Sequence, residues 1–179
     1  MQLWKVSVAA DEIPETGRHF FLSADATTRA AIAAHLGVRS VEQLEASYDV
    51  TRRGRDGLRV VGQVKAVVGQ SCVVTLDPID SVIVENVDVD FIPTPPQGLE
   101  GRPAIAPTHP VIDAEGDPPE LIVEGAVDLG ELAIEFLILG IDPYPRKPGA
   151  KFVAPTIDTG DVGPFAALAK LKPGRGKEN

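Results

Sequence analysis

The chain has 179 residues, 44% of them hydrophobic, and a formal net charge of −9. That length supports one domain with a real core, and no apolar run is long enough to span a bilayer. A single cysteine excludes an internal disulfide, and the bulk negative charge argues against tight non-specific binding to nucleic acid. The start, MQLWKVSVAADEIP, lacks the apolar core of a signal peptide. With the lone cysteine, this leads us to expect a cytoplasmic protein with no membrane partner.

Charge is unevenly placed along the chain. Residues 1–76 carry nine Lys/Arg against eight acids, residues 77–142 one against fifteen, and residues 143–179 seven against three. Such asymmetry marks an interaction surface. It predicts separate positive and negative poles.

Taken in order, Leu3–Val8 alternates apolar and polar residues and reads as a first strand. Asp11–Arg18 holds Pro14 and Gly17 and reads as a loop, and Phe20-Phe21-Leu22 extends a strand. Asp25 then caps a helix, Ala26–Leu36, ended by Gly37. Ser40 and Gln43 have the spacing of a second, shorter capping box. In Leu44–Thr51, the residues Leu44, Ala46, Tyr48 and Val50 share one face of a strand. Asp56-Gly57 marks a turn, and Leu58–Val68 follows with Leu58, Val60, Val64, Ala66 and Val68 on one side. Gly69-Gln70 is expected to break that strand, leaving Ser71–Leu76 as a short one. Val82–Ile92 closes the set, with Val87, Val89 and Phe91 inward and Asn86, Asp88 and Asp90 outward.

Residues 93–119 hold eight prolines and read as a flexible insertion. Glu120–Glu124 is either one more strand or the lead-in to a helix. That helix is the strongest element of the chain. Asp128 is its N-cap, with Glu131 at capping-box spacing, and Leu129, Leu132, Ala133, Phe136, Leu137 and Gly140 recur at the helix period. Ile134, Ile138 and Ile141 widen the apolar surface, leaving Glu131 and Glu135 to face water. A helix so apolar is buried against a sheet. Gly140 and Pro143 stop it, and the exit Pro143–Gly149 is stiffened by proline, presenting Tyr144, Arg146 and Lys147 outward. Pro164–Leu171 reads as a short amphipathic turn or helix.

The fold class is therefore α+β: an antiparallel sheet packed by a C-terminal apolar helix and a short N-terminal helix. Closure of the sheet into a partial barrel is left open. Residues 1–171 are expected to form one domain with the proline-rich insertion at 93–119, and residues 172–179 a disordered basic tail.

Catalytic motifs do not emerge: no glycine-rich phosphate loop, no HExxH and no Gly-x-Ser-x-Gly occurs. Cys72, with His19, His35 and His109 scattered, makes no zinc motif and reads as a small buried hydrophobe. We expect no metal, no cofactor, no small-molecule substrate and no enzymatic activity. The basic clusters carry more. Arg52, Arg53, Arg55 and Arg59 surround a hairpin tip, while Arg146, Lys147 and Lys151 surround Tyr144. Arginine forks suit phosphates and Tyr144 can stack on a base, although solvated loop charge looks the same in sequence. Glu85, Asp88 and Asp90 offer an acidic strand face for a basic protein, although acids on a strand are commonly just its wet face.

Two stretches resemble the bacterial YceD family. Cys72-Val73-Val74-Thr75-Leu76-Asp77-Pro78 is similar to a family segment with Cys-x-x-Cys-Leu and a following proline, with Thr75 at the second cysteine. Asp128–Pro148 is similar to its acidic lead, Leu-rich helix and proline exit, and Asp142–Arg146 looks like the alphaproteobacterial variant. The resemblance covers roughly residues 62–148. It implies a cytoplasmic, non-enzymatic factor in 23S ribosomal RNA processing or accumulation and large-subunit assembly. Its partners would be pre-ribosomal RNA, a large-subunit ribosomal protein, or both. The alternative is an acidic protein–protein adaptor with no RNA contact. A hydrolase, the third reading, would need convergent carboxylates in a pocket.

Overall fold

A computed structural model describes residues 3–54, 56–93, 118–122 and 125–152. Its elements are β1 (Ser7–Ala9), β2 (Arg18–Ser23), α1 (Ala26–Leu36), β3 (Ser40–Arg53), β4 (Gly57–Ser71), β5 (Pro78–Pro93), β6 (Glu120–Ile122), β7 (Ala126–Asp128) and α2 (Leu129–Gly140). A short 3₁₀ turn, Ala10–Glu12, follows β1. Strands β2 to β6 form an open sheet in sequence order, and β1 pairs with β7 in a separate two-stranded ribbon. The sheet is antiparallel except that β6 runs parallel to β5. No barrel closes.

Period-two patterning produces the sheet's two faces. Leu44, Ala46, Tyr48 and Val50 of β3 lie in register with Ala66, Val64, Gly62 and Val60 of β4, and these with Ile83, Glu85, Val87 and Val89 of β5. All but Gly62, Glu85 and Val89 are buried, because both helices pack on this face. Gly62 sits where the Tyr48 ring crosses β4. A Cβ there would lie 2.9 Å from the ring and would run into the Ser47 carbonyl oxygen. Only glycine permits that approach.

α1 begins and ends as its residues dictate. Asp25 accepts from the Thr28 amide at 2.7 Å, and Gly37 closes the helix with φ of 67°. α2 is capped by Asp128, whose carboxylate accepts from the amides of Gly130 and Glu131. The same carboxylate accepts from Val6 at 2.9 Å, and Glu131 accepts from Leu3 rather than closing a capping box. The helix start thereby ties the N-terminal stretch down. Leu129, Leu132, Ala133, Ile134 and Leu137 are buried, each large one stabilising the fold by roughly 1.5–3 kcal/mol.

Several expectations need correction. Ser40–Gln43 opens β3 with a bulge between Val41 and Gln43, not a helix. Gly69 and Gln70 stay in β4, which runs unbroken to Ser71, and residues 72–77 form a turn instead of a strand. The first strand is only three residues long. Ile138 and Leu139 of α2 are exposed beside Glu135, so the helix is less enclosed than its composition suggests. Most of the proline-rich insertion, the 164–171 segment and the 172–179 tail lie outside the described residues. No described helix is long and apolar enough to cross a membrane.

Candidate functional site

The β4–β5 connection folds on itself. The Cys72 amide donates to the Asp77 carbonyl at 2.8 Å, and Leu76 donates back to Cys72 at 2.9 Å. This return forces Leu76 to φ of 61°, the left-handed region that disfavours a side chain. Thr75 donates its amide to the Cys72 sulfur at 3.5 Å.

After α2 the proline exit docks against this turn. Val73 donates to Pro145 at 3.0 Å, and the Lys147 amide donates to the Cys72 sulfur at 3.4 Å. The Lys147 ammonium pairs with Asp77 at 3.0 Å. From the end of β4, the Gln70 side chain donates to the Asp142 carbonyl at 2.8 Å and accepts from Ser81 at 3.1 Å. Prolines 143, 145 and 148 have no N–H to place, and Tyr144 satisfies its own on Asp142 at 2.8 Å. Two motifs some seventy residues apart thus form one unit.

Electrostatics follows from these bonds. The Cys72 thiol has no solvent exposure, yet its pKa is held down to about 6. The Lys147 amide is the main cause, with Thr75 adding to it. The Asp77 carboxyl is lowered by its bond to Lys147 and then by Thr75. Cys72 is buried as expected, and its sulfur also accepts the amides of Thr75 and Lys147.

Around this unit, Tyr144 is 71% exposed, Leu76 75% and Val73 45%. Pro145 is buried while Tyr144 and Arg146 on either side face out. Among the described residues, neither Arg146 nor Lys151 has an ion-pair partner.

The hairpin candidates are arranged differently. Arg59 grips Asp88 with two bonds of 2.9 Å, and Arg53 pairs with Asp90 at 3.3 Å. Arg52 donates to the carbonyls of Ile13 and Asp11. Arg55 lies outside the described residues. Arg53 of β3 and Arg59 of β4, expected to serve a different partner from the acids, therefore face Asp90 and Asp88 of β5 on the outer side of the sheet. The predicted separation of poles is not kept there, because antiparallel pairing sets residue 59 beside 88 and 90. Glu85 does not share the face of Asp88 and Asp90. It is in register with Val64 on the helix side, close to Gly140. Residues 85 and 88 are an odd number apart, and alternation alone separates them.

Sequence reasoning missed Gln70, Val73 and Leu76. It also missed a groove of about 340 Å³ between the sheet edge and α2, lined in part by Phe91, Glu120, Glu131 and Glu135. Burial, then Glu120 and Glu131, push the Glu135 carboxyl up. Beside it, the buried Tyr48 hydroxyl has no hydrogen-bond partner among the described residues. No three described His, Cys, Asp or Glu side chains converge as a metal site.

Comparison with known proteins agrees with the two-motif resemblance. A family model, Large ribosomal RNA subunit accumulation protein YceD, matches residues 60–172. No curated protein and no solved structure matches significantly.

Proposed function

The chain belongs to the YceD family, and on that premise we propose a non-enzymatic factor in 23S ribosomal RNA processing and accumulation. It would support large-subunit assembly by touching pre-ribosomal RNA directly. The observation that carries this reading is the exit from α2, where Tyr144, Arg146 and Lys151 stand out from a stiff segment locked to the sheet. A free guanidinium and ammonium can neutralise phosphates, and an exposed ring can stack on a base. Arg52, Arg53 and Arg59 are secondary contacts, since binding RNA would cost them their internal partners. Lys147 holds the turn, and Arg55 remains a candidate at the hairpin.

A second reading, an adaptor for a basic ribosomal protein, has one observation in its favour: the carboxylates crowded in the groove beside α2. Asp88 and Asp90 favour it less, being neutralised by Arg59 and Arg53.

The test is binding to a precursor 23S transcript across a salt series. Arg146→Glu with Lys151→Glu should weaken binding and flatten the log–log salt slope by about one for each phosphate no longer neutralised. Binding that ignores both substitutions would remove the RNA-contact reading. Partners retained in a nuclease-treated pull-down would favour the adaptor.

A further inference from the structure

Resting on the RNA-contact reading, we propose that the surface formed by Val73, Leu76, Tyr144, Arg146 and Lys151 takes an unpaired RNA segment, not a duplex. Three exposed apolar side chains belong here to one hydrogen-bonded unit, since the Val73 amide donates to Pro145, between Tyr144 and Arg146. Backbone phosphates alone would call for cations, not for a leucine, a valine and a tyrosine. The faces of bases are the apolar surface of RNA, and only unstacked nucleotides offer them.

Leu76 strengthens the assignment. Its φ of 61° would suit glycine, yet a leucine stands there and is 75% exposed. An exposed leucine contributes little to the core, and its backbone conformation costs about 1 kcal/mol or more. Strain held for a side chain that is three-quarters exposed points to an external partner. That partner is anionic, because Arg146, next to Pro145 in the exit, and Lys151, five residues further along the chain, are exposed and have no acid to pair with among the described residues. A single strand meets both demands: bases on Tyr144, Leu76 and Val73, phosphates on Arg146 and Lys151.

The experiment uses the full chain and fluorescein-labelled RNA: two complementary strands of about twenty nucleotides and mixed sequence, neither able to pair with itself, and the stable duplex they form. Anisotropy should show the single strands bound at least tenfold more tightly than the duplex. Tyr144→Ala should cost roughly tenfold in affinity for single strands, the scale of one base–aromatic stack. Leu76→Gly should cost roughly threefold or more while the melting temperature holds or rises, since glycine relieves the backbone. Equal affinity for strand and duplex would overturn this proposal but leave the RNA-contact reading standing. Leu76→Gly binding like wild type, yet losing a ribosomal protein partner, would also overturn it. Absence of any RNA binding by the wild type would sink both.

Discussion

Gln70→Ala is the substitution that most directly asks whether the turn and the exit are one unit. Gln70 is buried, donates to Asp142 at 2.8 Å and accepts from Ser81 at 3.1 Å. Two hydrogen bonds are worth about 1 kcal/mol each, so the expected cost is about 2 kcal/mol. The loss should be local. An opening free energy lowered by about 2 kcal/mol raises the open population roughly thirtyfold. Amide hydrogen exchange reads this at Val73 and Lys147, whose N–H groups bond Pro145 and the Cys72 sulfur. Their protection should fall about thirtyfold, while mid-sheet amides such as Val64 change only with global stability in urea. Unchanged protection at Val73 and Lys147, alongside a lower urea midpoint, would refute the coupling. Gln70 would then serve the sheet alone.

Other outcomes follow from the same geometry. Gly62→Ala drives a methyl into the Ser47 carbonyl oxygen and should cost about 3 kcal/mol or more in urea unfolding, because backbone cannot step aside; a change below about 0.5 kcal/mol would contradict the Tyr48 crossing. Cys72, with its pKa lowered to about 6, should show thiolate absorbance near 240 nm rising with a midpoint there. Its folded value lies below its unfolded one, so the stability it contributes is full above the ordinary thiol range and is lost as pH falls toward 6. Cys72→Ala should therefore destabilise more at pH 9 than at pH 6; a midpoint near 8.5 would contradict the amide–sulfur bonds. Glu135→Gln should stabilise at neutral pH and lose its effect in acid, since the raised carboxyl is penalised when charged. A gain that persists at low pH would mean the change acts through packing.

Much of the fold could be read from residue patterns. α1 runs from Ala26 to Leu36 between the cap and the glycine that mark it, and α2 starts at its capping aspartate. Alternation in β3, β4 and β5 separates the faces correctly. Failures arose where a local signal met a tertiary constraint. Gly69-Gln70 looks like a breaker, but β4 continues because Gly69 lies against Ser40 and Gln70 is needed by Asp142. Ser40-x-x-Gln43 has a cap's spacing, yet pairing with β4 holds it extended. Glu120–Glu124 was legible as a strand, one of two readings, and β6 fills Glu120–Ile122, but its parallel pairing with β5 was not legible because the partner lies across the proline-rich insertion. At the site, Tyr144, Arg146 and Lys147 were legible as an outward exit. Leu76 was not, because a left-handed turn residue shows no period. The charge runs misled for a different reason: sequence blocks record where charges lie along the chain, whereas antiparallel register placed Arg59 beside Asp88.

The most direct measurement is ultraviolet cross-linking in cells, with both the RNA fragment and the attached peptide identified by sequencing and mass spectrometry. Cross-links joining a precursor of 23S ribosomal RNA to the peptide that contains Tyr144 would match this account. Cross-links confined to the Arg52–Arg59 hairpin, or no large-subunit RNA above background, would contradict it.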